Sequence, residues 1–227
     1  MRLYFSRSCL MKLYIYHHCP FCLRALMVAN YKDLPYRVEY LLNDDVETPT
    51  SLIGKKQVPI LRLYDYSAMA ESMEIARQLD ELGDPDRIIR PAGDTRPVRD
   101  AMAKAAAAVD ALVFPRTVAM DVPEFRSAAA IDYYQQKKEA ALGFDFAQAM
   151  ADSAHYQQQT EAMLASLPVP ERPSAHDHTL SWDDVEIFPA LRNLTMVRGL
   201  TFPSALLDYV HDVASLTKTD LYFNQAL

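Results

Sequence analysis

The chain has 227 residues, half of them hydrophobic, with a formal net charge of −7 and a pI near 5.3. An acidic chain without a basic stripe argues against a nucleic-acid partner. No apolar run approaches the roughly 20 residues of a membrane-spanning helix, and no signal-peptide pattern opens the chain. The length favours two domains.

Residues 1–10 partly repeat residues 11–20, and only the second copy leads into a helical pattern. The sequence therefore predicts an N-terminal extension over residues 1–10, with Met11 as a candidate start. Two interpretations of Cys9 stay open, because a thiol in a frayed terminus has no role whereas an ordered one could be a third redox thiol.

The first predicted domain, residues 11–83, alternates strands and helices. A strand over 13–16 leads into a helix that begins at Pro20. Further elements are strands over 36–42, 58–64 and 68–70 and helices over 48–54 and 72–82, the last closed by Gly83. The order β-α-β-α-β-β-α requires a mixed four-stranded sheet covered by helices.

A segment rich in Pro, Gly, Asp and Arg predicts a linker over residues 84–96. The composition then becomes alanine-rich, which predicts an all-helical second domain over 97–227, with helices over 98–120, 123–142 and 144–167. Ser181 and Asp184 form a capping-box pattern at the start of a later helix, and Pro189 falls inside that helix.

The motif Cys19-Pro20-Phe21-Cys22 lies where the first strand ends and the first helix begins. A thiolate at a helix N-terminus is stabilised by free N–H groups and the helix dipole, so Cys19 is the candidate nucleophile. Pro20 suits the first turn, and Cys22, three residues on, can resolve a mixed disulfide. This spacing predicts thiol–disulfide chemistry.

Other interpretations of the two cysteines stay open. They could be ordinary buried residues, since Cys behaves as a small apolar side chain. A zinc site would need two further ligands, and no second Cys or His cluster has the spacing, so we expect no metal. His17 and His18 either add positive charge near the thiolate or are solvated loop residues.

A glutathione-type peptide offers a cysteine backbone, a γ-glutamyl group and a glycyl carboxylate. In the segment Gln57-Val58-Pro59-Ile60, a cis bond before Pro59 would turn the polar backbone groups of Val58 towards such a ligand. Glu71 could bind the ammonium group. Ser72 and the free N–H groups of its helix could bind the γ-glutamyl carboxylate, although Ser72 could equally be a simple cap.

The glycyl carboxylate needs a separate partner. Lys55, Lys56 and Gln57 are the candidates, with solvated surface lysines as the alternative. Pro20 and Phe21, beside the thiol, complete the predicted glutathione-binding set.

Three segments resemble the thioredoxin-like domain of glutaredoxins: Met11 to Tyr16 before the Cys-Pro-Phe-Cys motif, Gln57 to Leu61, and Glu71 to Met73. Two others, residues 41–50 and 188–195, resemble the bacterial glutaredoxin 2 family, whose members are large two-domain glutaredoxins built like glutathione transferases. The resemblance covers nearly everything after residue 10, and the extension departs from it.

The resemblance implies a thioredoxin-like first domain, an all-helical second domain and a glutathione-transferase-like architecture. It also implies glutathione-dependent reduction of disulfides and glutathionylated proteins, with glutathione as co-substrate. A cytoplasmic, monomeric protein is expected on the same ground.

Two rival functions stay open. A cysteine-type glutathione transferase or dehydroascorbate reductase has the same architecture and usually a single working cysteine. A non-enzymatic, transferase-like binding module would show an ordinary thiol pKa.

Overall fold

The computed structural model describes residues 10–227; the extension's residues 1–9, including Cys9, lie outside the described part. Four strands form the sheet, in the order β2-β1-β3-β4. They are β1 (Met11–Ile15), β2 (Tyr36–Tyr40), β3 (Ile60–Arg62) and β4 (Ala68–Met69). Strands β1 and β2 are parallel and the other two pairs antiparallel, which confirms the predicted mixed sheet.

Three helices cover this sheet: α1 (Pro20–Tyr31), α2 (Glu47–Ile53) and α3 (Ser72–Leu82). Alternate residues of β1 point to opposite faces. Leu13 and Ile15 are fully buried in the main core, with α1 and α3, whereas Tyr14 packs in a smaller cluster with Leu52 of α2. Because β1 ends at Ile15 and α1 begins at Pro20, the intervening loop places Cys19 beyond the carboxyl end of β1, an interior strand of the sheet.

Three strands are shorter than their sequence patterns, and the one predicted over 68–70 loses one residue. The strand predicted over 58–64 is reduced to β3, because Pro59 has no N–H to donate to the ladder and Leu63 already closes the hairpin by bonding to Ser67. The strand predicted over 36–42 ends at Tyr40.

The second domain is helical, as predicted. Its helices are α4 (Arg96–Lys104), α5 (Ala106–Thr117), α6 (Ala128–Leu142), α7 (Phe146–Ala151), α8 (Ser153–Ser166), α9 (Trp182–Leu194) and α10 (Ser204–Leu216). Helix α10 was absent from the sequence prediction. Within residues 10–227, no helix is both long enough and apolar enough to cross a bilayer.

The three long helices predicted for this domain were wrong, because each is interrupted. Ala105, with ψ near 2°, separates α4 from α5, and Asp152, with ψ near 11°, separates α7 from α8. Ser127 has extended backbone and caps α6 by accepting from the Ala130 N–H. A helix break of one residue leaves the apolar side chains before and after it on nearly the same face. The spacing of apolar residues in the sequence therefore does not reveal the break.

Helix α9 begins with the predicted capping box. The Asp184 N–H donates to Ser181 Oγ, and the Ser181 N–H donates to the Asp184 carboxylate. Pro189 is buried within the helix, where packing tolerates it. Helix α9 packs directly against α1, so it joins the helical domain to the helix that carries the Cys-Pro-Phe-Cys motif.

The linker is tied to α9 as well. The Arg90 N–H donates to the Leu180 carbonyl at 2.8 Å, and the Trp182 N–H donates to the Arg90 carbonyl at 3.1 Å. Buried apolar side chains of both domains form one continuous core. The relative position of the two domains is therefore fixed by packing as well as by the chain connection.

Candidate active site

Cys19 is the N-cap residue of α1. Its backbone is extended (φ −71°, ψ 118°), and its sulfur accepts the Cys22 N–H at 3.4 Å. Pro20 occupies the first helical turn, where a missing N–H costs nothing. The sequence therefore folds so that the sulfur faces the positive end of the helix dipole.

The two thiols differ in acidity. The hydrogen bond from the Cys22 thiol lowers the pKa of Cys19 to about 7; burial opposes this shift, while positive charge on His18 and nearby backbone N–H groups assist it. Burial, with the hydrogen bond to Cys19, raises the pKa of Cys22. Cys19 is therefore the thiol that ionises near neutral pH, and Cys22 remains a protonated donor beside it.

A cleft of about 580 Å³ opens beside Cys19 between the two domains. The first domain contributes Cys19 with its neighbours and the segment 56–58. The helical domain contributes a wall that is mainly aromatic and charged: Asp110, Phe114, Tyr133, Tyr134, Lys137, Lys138 and Asn193. The cleft is large enough for a peptide-sized ligand that contacts both domains.

The predicted glutathione-binding residues divide into two groups. Five line the cleft: Pro20, Phe21, Lys56, Gln57 and Val58. The other three, Pro59, Glu71 and Ser72, lie outside its lining. The Val58-Pro59 bond is cis, the state considered from the sequence.

Glu71 and Ser72 already have partners within the protein. The exposed Glu71 carboxylate accepts from Gln57 Nε2 at 3.0 Å and from Lys55 Nζ at 3.2 Å, and these bonds lower its pKa. Ser72 Oγ is buried and accepts from Arg24 at 3.4 Å. Gln57 thus connects Glu71 to the cleft.

Lys56 bridges the domains. Its ammonium donates to the Asn43 carbonyl at 2.6 Å and lies 3.6 Å from the centre of the Tyr133 ring. Lys55, by contrast, is exposed. Of the two lysines predicted as carboxylate ligands, only Lys56 reaches the cleft.

Neither histidine before Cys19 is a solvated loop residue. His18 Nδ1 donates to Glu124 at 2.5 Å, and its backbone N–H donates to the same oxygen at 2.9 Å. His17 Nδ1 lies 3.0 Å from the Tyr222 hydroxyl, and burial and Arg192 lower the pKa of His17 to about 4. His17 is therefore neutral near pH 7, so only His18 can carry the predicted positive charge.

Sequence reasoning missed the partners that the helical domain supplies. Arg192 donates to the His17 carbonyl and Asn193 to the His18 carbonyl, each at 2.9 Å. Both residues lie in the 188–195 segment, whose resemblance was the one signal available. Glu124 could not be identified from the sequence, because it belongs to no motif and lies far from the cysteine motif along the chain.

Cys19 and Cys22 are free thiols. Among residues 10–227, no group of three or more His, Cys, Asp or Glu side chains is arranged to hold a metal ion. The two free thiols lie at the start of α1, and Cys19 lines the cleft.

Comparisons with known proteins match both domains. Residues 97–226 match the family model "Glutaredoxin 2, C terminal domain", and residues 18–82 match "Glutathione S-transferase, N-terminal domain". The chain is 38% identical to glutaredoxin 2 of Escherichia coli strain K12, over 96% of this chain and 100% of that relative.

Solved structures agree. The crystal structure of glutaredoxin 2 from Salmonella typhimurium in complex with glutathione superimposes with a TM-score of 0.87 and 36% identity, covering 96% of this chain and 99% of that one. The glutathione transferase GSTFuA3 from Phanerochaete chrysosporium gives a TM-score of 0.65 at 16% identity, covering 93% and 99%, which is a likeness of fold alone.

Proposed function

The chain belongs to the glutaredoxin 2 family of glutathione-dependent oxidoreductases, and from this premise we propose that it reduces glutathionylated proteins and protein disulfides through Cys19 and Cys22. The observation that carries the proposal is the position of Cys19, an N-cap thiol with a pKa of about 7 that opens onto the interdomain cleft. A thiol of that acidity is partly ionised at neutral pH and keeps substantial nucleophilicity.

With a glutathionylated protein, the Cys19 thiolate attacks the glutathione sulfur and breaks the mixed disulfide. The protein leaves as a thiolate and takes a proton from solvent, while Cys19 becomes disulfide-bonded to glutathione. The thiolate of a second glutathione attacks the glutathione sulfur of that bond, which releases oxidised glutathione and restores the Cys19 thiolate. One free glutathione is thus consumed, and the oxidised glutathione that forms combines it with the glutathione removed from the protein.

Cys22 supports a second route for protein disulfides. Attack of Cys19 on a protein disulfide leaves a Cys19–protein mixed disulfide, and Cys22 then attacks the Cys19 sulfur. The protein leaves reduced, and the Cys19–Cys22 disulfide is returned to dithiol by two glutathione molecules. The raised pKa of Cys22 keeps this thiol from competing as the first nucleophile.

Glutathione would lie in the cleft along the segment 56–58. We assign the cysteine backbone of glutathione to the main chain of Val58, and its glycyl carboxylate to Lys56 and Gln57, which line the cleft. The γ-glutamyl end would reach the N-terminus of α3, where Glu71 meets the ammonium and Ser72 the carboxylate. The similarity to the glutaredoxin 2 of Salmonella typhimurium, which was crystallised in complex with glutathione, supports a glutathione ligand here.

The test is glutathione-coupled reduction of a small mixed disulfide and of a protein disulfide, with NADPH and glutathione reductase recycling the glutathione. Cys19→Ser should abolish both activities. Cys22→Ser should keep the first and lose the second, and Cys9→Ser distinguishes the two interpretations of Cys9. A wild-type protein that reduces neither substrate would contradict the proposal.

The same variants separate the rival functions. A cysteine-type transferase or dehydroascorbate reductase would conjugate electrophiles or reduce dehydroascorbate equally well after Cys22→Ser. A binding module would show no thiol-dependent turnover with any of these substrates.

A further inference from the structure

Glu124 places a buried carboxylate against the active-site loop. Its side chain is 0% exposed, and one oxygen accepts both the backbone N–H of His18, at 2.9 Å, and His18 Nδ1, at 2.5 Å. The second oxygen is buried with no protein partner. The carboxylate comes from the helical domain, 106 residues along the chain from the histidine that it holds.

The imidazole of His18 is fixed on several sides. Its ring stacks on Phe125, with centroids 5.3 Å apart, and on Tyr16 at 5.9 Å, and Tyr134 meets it edge-on at 5.4 Å. Asn193 holds the His18 carbonyl. Only 13% of the side chain is exposed, so its orientation beside Cys19 is set by these contacts.

A buried carboxylate without a cationic partner would be strongly destabilising. Burial acts to raise the pKa of Glu124, but the hydrogen bonds from His18 and its charge outweigh burial, and the pKa is lowered. Glu124 is therefore ionised, and it holds the imidazole by accepting from Nδ1. Positive charge on that imidazole lowers the pKa of the neighbouring Cys19 thiol.

We propose that Glu124 is a positioning residue for the thiol chemistry at Cys19, acting through His18: it orients the imidazole and holds its positive charge beside the sulfur. The acidity of a thiol in the first domain would then depend on a carboxylate of the second. This inference rests on the proposed function, in which Cys19 is the nucleophile.

Other titratable groups also face Cys19, and the test must allow for them. They are Tyr16 after β1, Cys22 and Arg24 on α1, and Tyr134 and Lys138 on α6. Burial raises the pKa of both tyrosines, so they stay neutral in the pH range of the thiol. Glu124 also raises the pKa of Cys22 and Tyr134, but burial is the larger cause at both, so both should stay protonated in Glu124→Gln.

Glu124→Gln tests the proposal, because the amide oxygen can still accept both hydrogen bonds while the charge is gone. The readout is the pH dependence of Cys19 alkylation by iodoacetamide. We expect the midpoint to rise by about 1 pH unit, the lower end of what one opposite charge causes. The rate of disulfide reduction at pH 7 should fall in proportion to the lost thiolate fraction. An unchanged or lower midpoint would overturn the proposal.

Asp184→Asn is the matched control. Asp184 is also a fully buried carboxylate of the helical domain, but it bonds to Ser181 and Tyr209 at the start of α9. This control should lower stability without moving the midpoint. A control that shifts the midpoint as far as Glu124→Gln would show that loss of any buried carboxylate suffices, and would overturn the assignment.

A measurement on the wild-type protein does not depend on how a variant folds. Nitrogen-15 NMR should show His18 Nδ1 protonated, as a donor to the Glu124 carboxylate must be; an unprotonated Nδ1 would overturn the proposal. The two proposals can fail separately. Full disulfide reduction by Cys19→Ser would contradict the proposed function, whereas an inactive Cys19→Ser with an unshifted Glu124→Gln would contradict only the role of Glu124.

Discussion

Two opposing effects act on the sulfur of Cys19. Burial disfavours its thiolate, while the Cys22 thiol, the His18 charge and backbone N–H groups favour it, and the favourable group prevails. At Cys22, burial raises the pKa. The hydrogen bond to Cys19 raises it further, because the Cys22 thiol must keep its proton to donate. Two identical side chains three residues apart therefore differ in acidity, with the pKa of Cys19 lowered and that of Cys22 raised.

This difference predicts a pH profile. Alkylation of the reduced protein by iodoacetamide should rise with pH around a midpoint of about 7, because the thiolate of Cys19 is the reactive form. Mass spectrometry should locate the label on Cys19, with Cys22 unmodified. Cys19→Ser is the control and should leave only slow labelling in the pH range 6–8. A wild-type midpoint near 9, the value of an unperturbed thiol, would contradict this assignment.

Functional residues could be predicted from the sequence only where the interacting residues are close together in the chain. The proposed roles of Cys19, Pro20 and Cys22 were predicted from their spacing at a helix start, a relation that spans four residues. Glu124 could not be predicted, because its partner His18 is distant in the chain and nothing in one sequence indicates that the two meet. Lys56 was predicted as a ligand of the glycyl carboxylate, but its contact with Tyr133 was beyond reach for the same reason.

Among the elements, the end of α3 leaves no room for a side chain. A Cβ on Gly83 would clash with the Cβ of Lys32, and it would also lie 3.0 Å from Lys32 Cε. Lys32 cannot easily move, since its ammonium is bonded to the Arg87 carbonyl and paired with Asp80. The close approach of α3 to the end of α1 thus depends on glycine.

Gly83→Ala should lower the free energy of unfolding by about 1–3 kcal/mol through overpacking. Gly54→Ala is the comparison, because Gly54 has a positive φ of 75° but open space around its Cβ position, so only backbone strain of about 1 kcal/mol applies. Urea unfolding of both variants measures the difference. If Gly83→Ala proved the milder of the two, the packing argument would be wrong.

The capping box of α9 gives a second prediction. Ser181→Ala removes the acceptor for the Asp184 N–H and should lower the free energy of unfolding by about 1 kcal/mol. Ser204→Ala, at the exposed start of α10, serves as control, because Ser204 is not the capping residue of its helix. Equal effects of the two substitutions in urea unfolding would argue against a specific cap.

Caps explain which helix boundaries were predictable. The prediction of a capping box for α9 was confirmed, because Ser181 and Asp184 have the residue types and the spacing of that motif. The breaks at Ala105 and Asp152 were missed because the residues beside them have helix propensities similar to those of residues inside the helices. Ser127 and Asp145 do cap helices, and weighing them more heavily would have divided the long helical patterns.

Across the whole molecule, the two domains share one core and a set of polar contacts at the active-site loop. Arg192 is buried, with its guanidinium bonded to the carbonyls of His17 and Asp220 and lying 4.0 Å from the Tyr222 ring. Such an interface is more extensive than a simple linker, so we expect the domains to unfold together.

Two probes can test this cooperativity. Trp182, the only tryptophan, reports on the helical domain by fluorescence, and Cys22, fully buried in α1, reports on the first domain through its reactivity with a thiol reagent. Their urea transitions should coincide, in a background that carries Cys9→Ser and Cys19→Ser so that Cys22 is the remaining thiol. Exposure of Cys22 at clearly lower urea would indicate that the first domain unfolds alone.

The architecture as a whole was the most predictable level. Mixed sheet, helical second domain and transferase-like arrangement were all confirmed, because alternation of element types and the family motifs extend over most of the chain. The sequence pattern did not predict which residues of the helical domain contact the Cys-Pro-Phe-Cys loop. Those contacts are made by single side chains such as Arg192 and Asn193.

The bonds from Arg192 and Asn193 to the loop carbonyls also constrain protein engineering. A chimera that takes only residues 11–83 from this chain would carry the cysteine motif without the two side chains that hold its loop. Recombination between relatives should therefore preserve function when the loop, Glu124 and the 188–195 segment come from the same parent. In a designed chimera, the loop, Glu124 and the 188–195 segment should therefore be exchanged together, although they are far apart in the gene.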